Sequence, residues 1–367
     1  MIGRRLFLGG TPASLLPVSA MARVTAEASA DRTRSPGAED TEAALQRRDL
    51  RIPVDGLSGP AEMAITVCAP AEGIGQHPVV VFAFPGGGFS RHYYDLQIAG
   101  HPGFSQAEHH CARGIIFVAC DHLGVGDSTT ASLDDLTIEL LARSMDQPAV
   151  RVVALLRTGA LIPGLAPLEP GAVIGMGLSM GGCLLIAAQG QKRTFDAVAV
   201  LGFSGHHTVL PVPPGSPPLP TPQFPRGTHP SQFTVPSPTR REQFRYVFHF
   251  EDVPNDIVAL DMGAGGAPNP TRPAWRSATT PPVARTMMSP GAIAPEAAAI
   301  DVPVMIGLGE RDVCPDPHAE PAAYERSQDV GLLIVPRMAH MHNFAGTRTI
   351  LWDRLAAWSQ TIAPRSR

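Results

Sequence analysis

The chain has 367 residues, enough for one large domain or for a core domain that carries an insertion. A hydrophobic content of 44% with 17% charged residues excludes a disordered chain, and a net charge of −4 without a long basic block argues against nucleic-acid binding. Five cysteines without a CxxC pair argue against a zinc site or a full disulfide framework.

The first residues predict an export signal. A pair of arginines precedes a modest apolar stretch and the small residues Ala20 and Ala22, an order typical of a twin-arginine signal peptide. On this prediction residues 1–22 are a signal peptide, 23–44 a polar linker and 45–362 the folded domain, and the protein is exported to the periplasm or secreted. The alternative is a disordered extension with a chance arginine pair, which makes the protein cytoplasmic. No segment has the length and hydropathy expected of a stable membrane anchor.

Apolar runs along the domain predict strands that alternate with helices. Two alternating runs near 50–54 and 63–67 predict an antiparallel edge hairpin, and further strands are expected at 77–84, 115–119, 172–174, 195–203, 302–308 and 331–335. The longest helical pattern covers 133–158 and contains Pro148, which predicts a kink or two helices. This order predicts an α/β fold, with a mostly parallel sheet flanked by helices and functional residues at the carboxyl ends of its strands.

A serine lies at one such strand end, in the sequence Gly177-Leu-Ser179-Met-Gly181. An apolar strand precedes this Gly-x-Ser-x-Gly motif and an apolar helical segment follows it, which is the context of a nucleophile elbow. A sharp strand-to-helix turn holds the serine at strained backbone angles, and only glycine fits where neighbouring chain comes close. Ser179 is therefore the candidate nucleophile, and the alternative is a glycine-rich structural turn.

A serine nucleophile needs a base, and the base needs a group that orients it. Asp312 and His340 each follow one of the last two predicted strands. Glu310 and Asp316 are alternatives to Asp312, but the Asp-Val-x-Pro continuation favours Asp312. His342 is the alternative to His340, and the spacing from the strand end favours His340. His342 could otherwise contact substrate or cap the final helix.

The order serine, aspartate, histidine at successive strand ends resembles the α/β-hydrolase fold family of serine hydrolases, which includes esterases and lipases. The D-x-x-G-x-G-x-S turn at 121–128 is also similar to a loop of that family, and the resemblance covers about 50–362 apart from one insertion. It implies that Ser179 is the nucleophile and that His340 is the general base and then the acid. It implies that Asp312 fixes the imidazole tautomer in a catalytic triad.

An oxyanion hole needs two N–H donors that are already in place. One is expected from the amide of Met180, directly after the serine, and the other from Gly87 or Gly88. The run Pro85-Gly-Gly-Gly resembles the H-G-G-G loop of esterases, with proline in place of histidine. Because the glycine amides donate, the hole is retained, but which glycine donates stays open. The alternative is a plain glycine-rich turn.

Residues 205–300 interrupt the strand–helix order and predict a lid or cap over the pocket. Proline is dense at 211–240, so a lid with little regular structure is expected. His206 and His207 begin the insertion and are candidates for the pocket rim.

Together these residues predict a serine hydrolase that cleaves a carboxylic ester, a lactone or a thioester through an acyl-enzyme. A small-molecule ester-type substrate is expected, with no metal and no organic cofactor. An acyltransferase with the same triad is the main alternative. A peptidase and a hydrolase fold used only for binding are the others. The sequence leaves the oligomeric state and the substrate open.

Overall fold

The computed structural model describes most of the predicted domain, namely residues 45–55, 59–130, 132–218, 224–228, 241–263 and 272–362, with only the backbone at 241–243. The predicted signal peptide and linker lie outside these residues, as do parts of the predicted lid.

An eight-stranded sheet runs through the described part of the chain in the order β1-β2-β4-β3-β5-β6-β7-β8. The strands are β1 Leu45–Pro53, β2 Glu62–Pro70, β3 Val79–Phe84, β4 Ile116–Cys120, β5 Ala172–Leu178, β6 Ala197–Leu201, β7 Val304–Arg311 and β8 Val330–Ala339. β1 and β2 form the predicted antiparallel hairpin at one edge, and the pairs from β4 to β8 are parallel. The predicted α/β-hydrolase architecture is confirmed.

Nine α-helices are described, and those outside the insertion cover both faces of the sheet. They are α1 Gln106–Cys111, α2 Ile138–Ser144, α3 Asp146–Arg157, α4 Met180–Gln191, α5 Arg241–Phe248, α6 Asn255–Met262, α7 Val283–Thr286, α8 Ala294–Ala299 and α9 Arg348–Thr361. One apolar core layer contains residues of α2, α3 and α4, and the other contains residues of α1 and α9. The central strands β4, β5 and β6 are buried along their whole length, as continuous apolar runs predict.

The helical pattern at 133–158 takes the second of its two predicted forms, a pair of helices. Met145 separates α2 from α3, so the pattern forms two helices that meet three residues before the proline. Pro148 lies in the first turn of α3, where a backbone N–H has no partner within the helix, and its missing donor is tolerated there.

The last two strands extend further than predicted, and this places the predicted acid and base. Arg311 of β7 pairs with Ala339 of β8 after a register shift that follows Gly309. Asp312 and His340 are the residues that directly follow this pair. The extension therefore brings the two side chains out at the same edge of the sheet.

All five cysteines are buried and unpaired in the described structure, where they act as small core residues. Within the described ranges, no helix is both long enough and apolar enough to cross a membrane.

Candidate active site

Ser179 occupies a strained turn between β5 and α4. Its backbone has φ 55° and ψ −116°, and it is one of two described non-glycine residues with a positive φ. A Cβ atom at Gly181 would overlap the carbonyl oxygen of Phe84, and one at Gly177 would overlap the carbonyl oxygen of Gly181. The turn therefore requires both glycines of the motif, and it presents the serine hydroxyl at the carboxyl end of β5.

The structure brings Ser179, His340 and Asp312 together in one hydrogen-bonded chain. His340 Nε2 lies 2.9 Å from Ser179 Oγ, and His340 Nδ1 lies 2.7 Å from Asp312 Oδ1. A carboxylate only accepts hydrogen bonds, so His340 Nδ1 carries the proton and Nε2 is free to accept from the serine hydroxyl. The arrangement is the geometry in which an imidazole removes a proton from a hydroxyl.

Four N–H groups hold the buried Asp312 carboxylate. Oδ1 accepts from His340 Nδ1 and from the amide of Val313 at 2.8 Å. Oδ2 accepts from His342 Nε2 at 2.7 Å and from the amide of Gly309 at 2.9 Å. Burial alone would raise the pKa of Asp312, but His342 and His340 both contact the carboxylate. Their charges and hydrogen bonds hold that pKa well below its usual range.

His342 does not cap the final helix, because Thr347 lies at the N-cap position of that helix. It bonds Asp312 and starts a short 3₁₀ turn, His342–Phe344, ahead of the final helix. Of the alternatives to Asp312, Glu310 accepts from the amide of Arg337 at 2.8 Å, and Asp316 accepts from the amide of Ala319 at 3.2 Å. Neither has a described contact with His340.

Three contacts that sequence reasoning missed fix the His340 ring. Its backbone N–H donates to the carbonyl of Val247 at 3.0 Å, and its ring stacks on Phe248 with 6.0 Å between centroids. Gly202 leaves room for the imidazole, because a Cβ atom there would lie 3.2 Å from His340 Nδ1. Only Gly202 left a signal in the sequence, a glycine directly after a strand.

The glycine-rich loop passes close to Ser179 and Met180. A Cβ atom at Gly86 would lie 3.3 Å from Ser179 Cβ, and one at Gly87 would lie 3.7 Å from Met180 Sδ. The amides of Met180, Gly87 and Gly88 donate to no group in the described part of the chain. Their role as oxyanion donors, and the choice between the two glycines, remain predictions.

His122 anchors the glycine-rich loop from the neighbouring strand end. Its Nε2 lies 3.0 Å from the carbonyl oxygen of Pro85, and its ring stacks on Phe84. Burial lowers the pKa of His122 to about 4, so the imidazole is neutral near pH 7. A neutral ring donates one hydrogen bond, and Pro85 accepts it. Tyr94 adds a second anchor, since its hydroxyl donates to the carbonyl of Phe84 at 2.7 Å.

A buried ion pair explains the D-x-x-G-x-G-x-S turn. Arg91 Nη1 lies 2.7 Å from Asp121 Oδ2 and 2.7 Å from Asp127 Oδ2, and Arg91 Nε donates to Thr66 Oγ1 at 2.9 Å. A Cβ atom at Gly126 would overlap the Asp121 carboxylate. Asp121, the first aspartate of the turn, accepts from Arg91, and Gly126, the second glycine, leaves room for the Asp121 carboxylate. The ion pair therefore ties the turn to the segment after the glycine-rich loop. Sequence reasoning missed Arg91.

Part of the insertion packs directly on the glycine-rich loop. The amide of Ser90 donates to the carbonyl of Trp275 at 2.9 Å, and the amide of Ser277 donates to the carbonyl of Gly88 at 3.0 Å. A Cβ atom at Gly87 would lie 3.0 Å from Ala284 Cβ. Of the two predicted rim histidines, His206 is exposed and lies 3.4 Å from the Ala319 carbonyl, and neither His206 nor His207 has a described contact with Ser179.

In the ranges that the structure describes, no group of three or more histidine, cysteine, aspartate or glutamate side chains could hold a metal ion.

Comparison with known proteins agrees with the fold. A family model described as the alpha/beta hydrolase family matches residues 80–350. No curated protein matches the sequence.

Solved structures with the same fold differ widely in sequence. VinJ has a TM-score of 0.55 and 17% identity, and the match covers 86% of this chain and 99% of the VinJ chain. A thermophilic esterase from Thermogutta terrifontis has a TM-score of 0.50 and 13% identity, covering 86% and 99%. Proline iminopeptidase from Mycobacterium smegmatis has a TM-score of 0.51 and 14% identity, covering 85% and 98%. At these identities the likeness concerns the fold alone.

Proposed function

The chain belongs to the alpha/beta hydrolase family, and from that premise we propose that it is a serine hydrolase that cleaves carboxylic esters through an acyl-enzyme. One observation carries the proposal: a single imidazole, His340, bonds both Ser179 Oγ at 2.9 Å and the Asp312 carboxylate at 2.7 Å. Serine as the elbow residue supports an acyl-enzyme, since its hydroxyl needs only a base to become a nucleophile.

In the proposed acylation step, Ser179 Oγ attacks the ester carbonyl carbon and its proton passes to His340 Nε2. The carbonyl oxygen becomes an anion that accepts from the amide of Met180 and from Gly87 or Gly88. When the tetrahedral intermediate collapses, the alcohol leaves with the proton from His340. Asp312 stabilises the imidazolium between these two transfers.

Water completes the proposed reaction. His340 Nε2 removes a proton from a water molecule, whose oxygen attacks the acyl carbon. The second intermediate collapses, Ser179 regains its proton from His340, and a carboxylic acid is released. The acyl chain, the alcohol and the choice among ester, lactone and thioester depend on the pocket. We propose that the insertion at 205–300 covers that pocket as a lid, since its residues 274–284 contact the glycine-rich loop.

A substrate panel with competing acceptors tests this function. We expect the purified protein to hydrolyse p-nitrophenyl esters, lactones or thioesters and to release a free acid, measured by product analysis with and without added alcohols and amines. Preferential transfer of the acyl group to an acceptor at low concentration would identify an acyltransferase. A folded protein without turnover of any panel member would contradict the proposal.

Replacing His122 with phenylalanine is expected to lower kcat by about 10-fold to 100-fold with little change in KM, because the freed Pro85 carbonyl loosens the oxyanion loop. Phenylalanine keeps the ring that stacks on Phe84 but has no donor. Steady-state kinetics with p-nitrophenyl acetate measure the effect, and His77→Phe at an exposed histidine is the control. Wild-type kcat in His122→Phe would show that Pro85 needs no anchor.

A further inference from the structure

His342 is a buried imidazole to which the proposed reaction gives no role. Only 1% of its surface is exposed, and its Nε2 lies 2.7 Å from Asp312 Oδ2. The oxygen that it contacts is the one that His340 does not use. The Asp312 carboxylate therefore lies between two imidazoles, of which one reaches the serine.

We propose that His342 is a positioning residue, which acts through Asp312 on the base His340. It holds Asp312 Oδ2 and takes up part of the carboxylate charge that would otherwise act on His340. The inference rests on the proposed function, because positioning matters only if His340 is the base.

The contacts of His342 select one neutral tautomer. A carboxylate oxygen only accepts, so the hydrogen on His342 Nε2 is the one that bonds Asp312. His342 Nδ1 is buried and has no described partner. A proton on Nδ1 would therefore be a buried donor without an acceptor, which is costly. This cost selects the tautomer that is protonated at Nε2.

The backbone around His342 keeps the ring in this place. The amide of His342 donates to the carbonyl of His340 at 3.1 Å. The side-chain Oδ1 of the next residue, Asn343, accepts from Trp352 Nε1 at 2.9 Å. The backbone amide of Asn343 donates to the Tyr93 hydroxyl at 2.9 Å. A spacing of two residues thus places both imidazoles on one carboxylate, and the buried turn leaves His342 no path to Ser179.

Two consequences follow for the reaction. Without His342, Oδ2 keeps only the Gly309 amide, so the carboxylate is freer to rotate away from His340 and kcat falls. The negative charge of the carboxylate also acts more strongly on His340. It therefore stabilises the His340 imidazolium relative to the neutral His340 ring. The acidic limb of the kcat/KM profile then moves to higher pH, because His340 holds its proton more strongly.

The other charged and titratable groups around Asp312 are the same in every variant compared. Burial raises the pKa of Tyr93, and burial and then Glu320 raise the pKa of Cys314 to about 12, so both stay neutral. The Arg311 guanidinium is paired with Glu251. Burial raises the pKa of Glu320, which contacts Cys314 at 3.7 Å and remains the same in every variant compared.

The kinetic test compares His342→Leu with His342→Gln. Leucine removes the donor, whereas the glutamine amide can place an N–H near the original Nε2. We expect His342→Leu to lose kcat by about 10-fold to 100-fold with KM within about twofold of wild type, and its acidic limb to move upward by roughly half a pH unit. His342→Gln should keep kcat within about threefold and the wild-type profile. Wild-type kcat and pH profile in a folded His342→Leu would overturn the proposal.

A second readout needs no turnover. In the full chain labelled with [15N]histidine and carrying Ser179→Ala, we expect His342 as a neutral ring protonated at Nε2, with a downfield proton that His342→Gln removes. A cationic His342, or a ring protonated at Nδ1, would overturn the inference. Failure of the proposed function is a separate result, because an inactive wild type leaves this spectrum measurable.

Discussion

Replacing Ser179 with alanine is expected to lower kcat/KM for p-nitrophenyl acetate by about 10⁴-fold or more, to the level that oxyanion stabilisation and binding alone sustain. Alanine lacks the nucleophilic hydroxyl. A water molecule in place of that hydroxyl is held less well than Ser179 Oγ, which lies 2.9 Å from His340 Nε2. Folding should change little, since alanine is small, although the positive φ at this position strains any side chain. Initial rates, circular dichroism and thermal unfolding provide the measurements.

Ser327→Ala is the matched control, because this serine is also described and lies before the amino end of β8, whereas Ser179 follows the carboxyl end of the parallel strand β5. It should retain wild-type kcat/KM. A folded Ser179→Ala that hydrolyses the ester at a wild-type rate would rule out an acyl-enzyme on this serine.

Replacing Asp312 with asparagine is expected to lower kcat by about 10³-fold to 10⁴-fold. All four groups that Asp312 accepts from are N–H donors. Either orientation of the asparagine amide turns its NH₂ group towards two of them. Where that group faces His340, it favours the tautomer with the proton on Nε2, which cannot accept from the serine hydroxyl. Steady-state kinetics measure the loss, and fluorophosphonate labelling should slow by a similar factor.

The same substitution should also change stability with pH. The depressed pKa of Asp312 means that its contribution to the free energy of unfolding is present above the pH where an unfolded carboxyl titrates and is lost as the pH falls towards the folded pKa. Asp312→Asn should therefore be less stable than wild type near pH 7, with a smaller difference in acid. Asp316→Asn, at an exposed carboxylate, is the control. Wild-type kcat in Asp312→Asn would show that His340 needs no oriented carboxylate.

The elements of the sheet could be predicted because their signal is local. β4, β5 and β6 are buried on both faces, so each is a continuous apolar run in the sequence. The break between α2 and α3 could not be placed in the same way. Pro148 marks the region, but a proline is tolerated within the first turn of a helix, so it fixes the break only to within a few residues.

In the candidate site, too, some residues could be predicted from a local sequence signal and others could not. Ser179, Asp312 and His340 were predictable because each follows a strand, and strand ends converge at one edge of a parallel sheet. The partners that hold them come from distant parts of the chain and leave no local pattern. Val247 and Phe248 belong to an insertion whose position over His340 is set by tertiary packing. His342 was visible as a competitor for His340, but only the fold shows that it bonds the other carboxylate oxygen.

Labelling with a fluorophosphonate probe tests the central claim most directly, because the probe reacts only with a serine that a nearby base activates. Intact mass and peptide mapping of the labelled protein should show one adduct, on the peptide that contains Ser179, and Ser179→Ala should abolish it. A folded wild-type protein that forms no adduct, or one labelled on another serine, would contradict the assignment of Ser179, His340 and Asp312 as the catalytic groups.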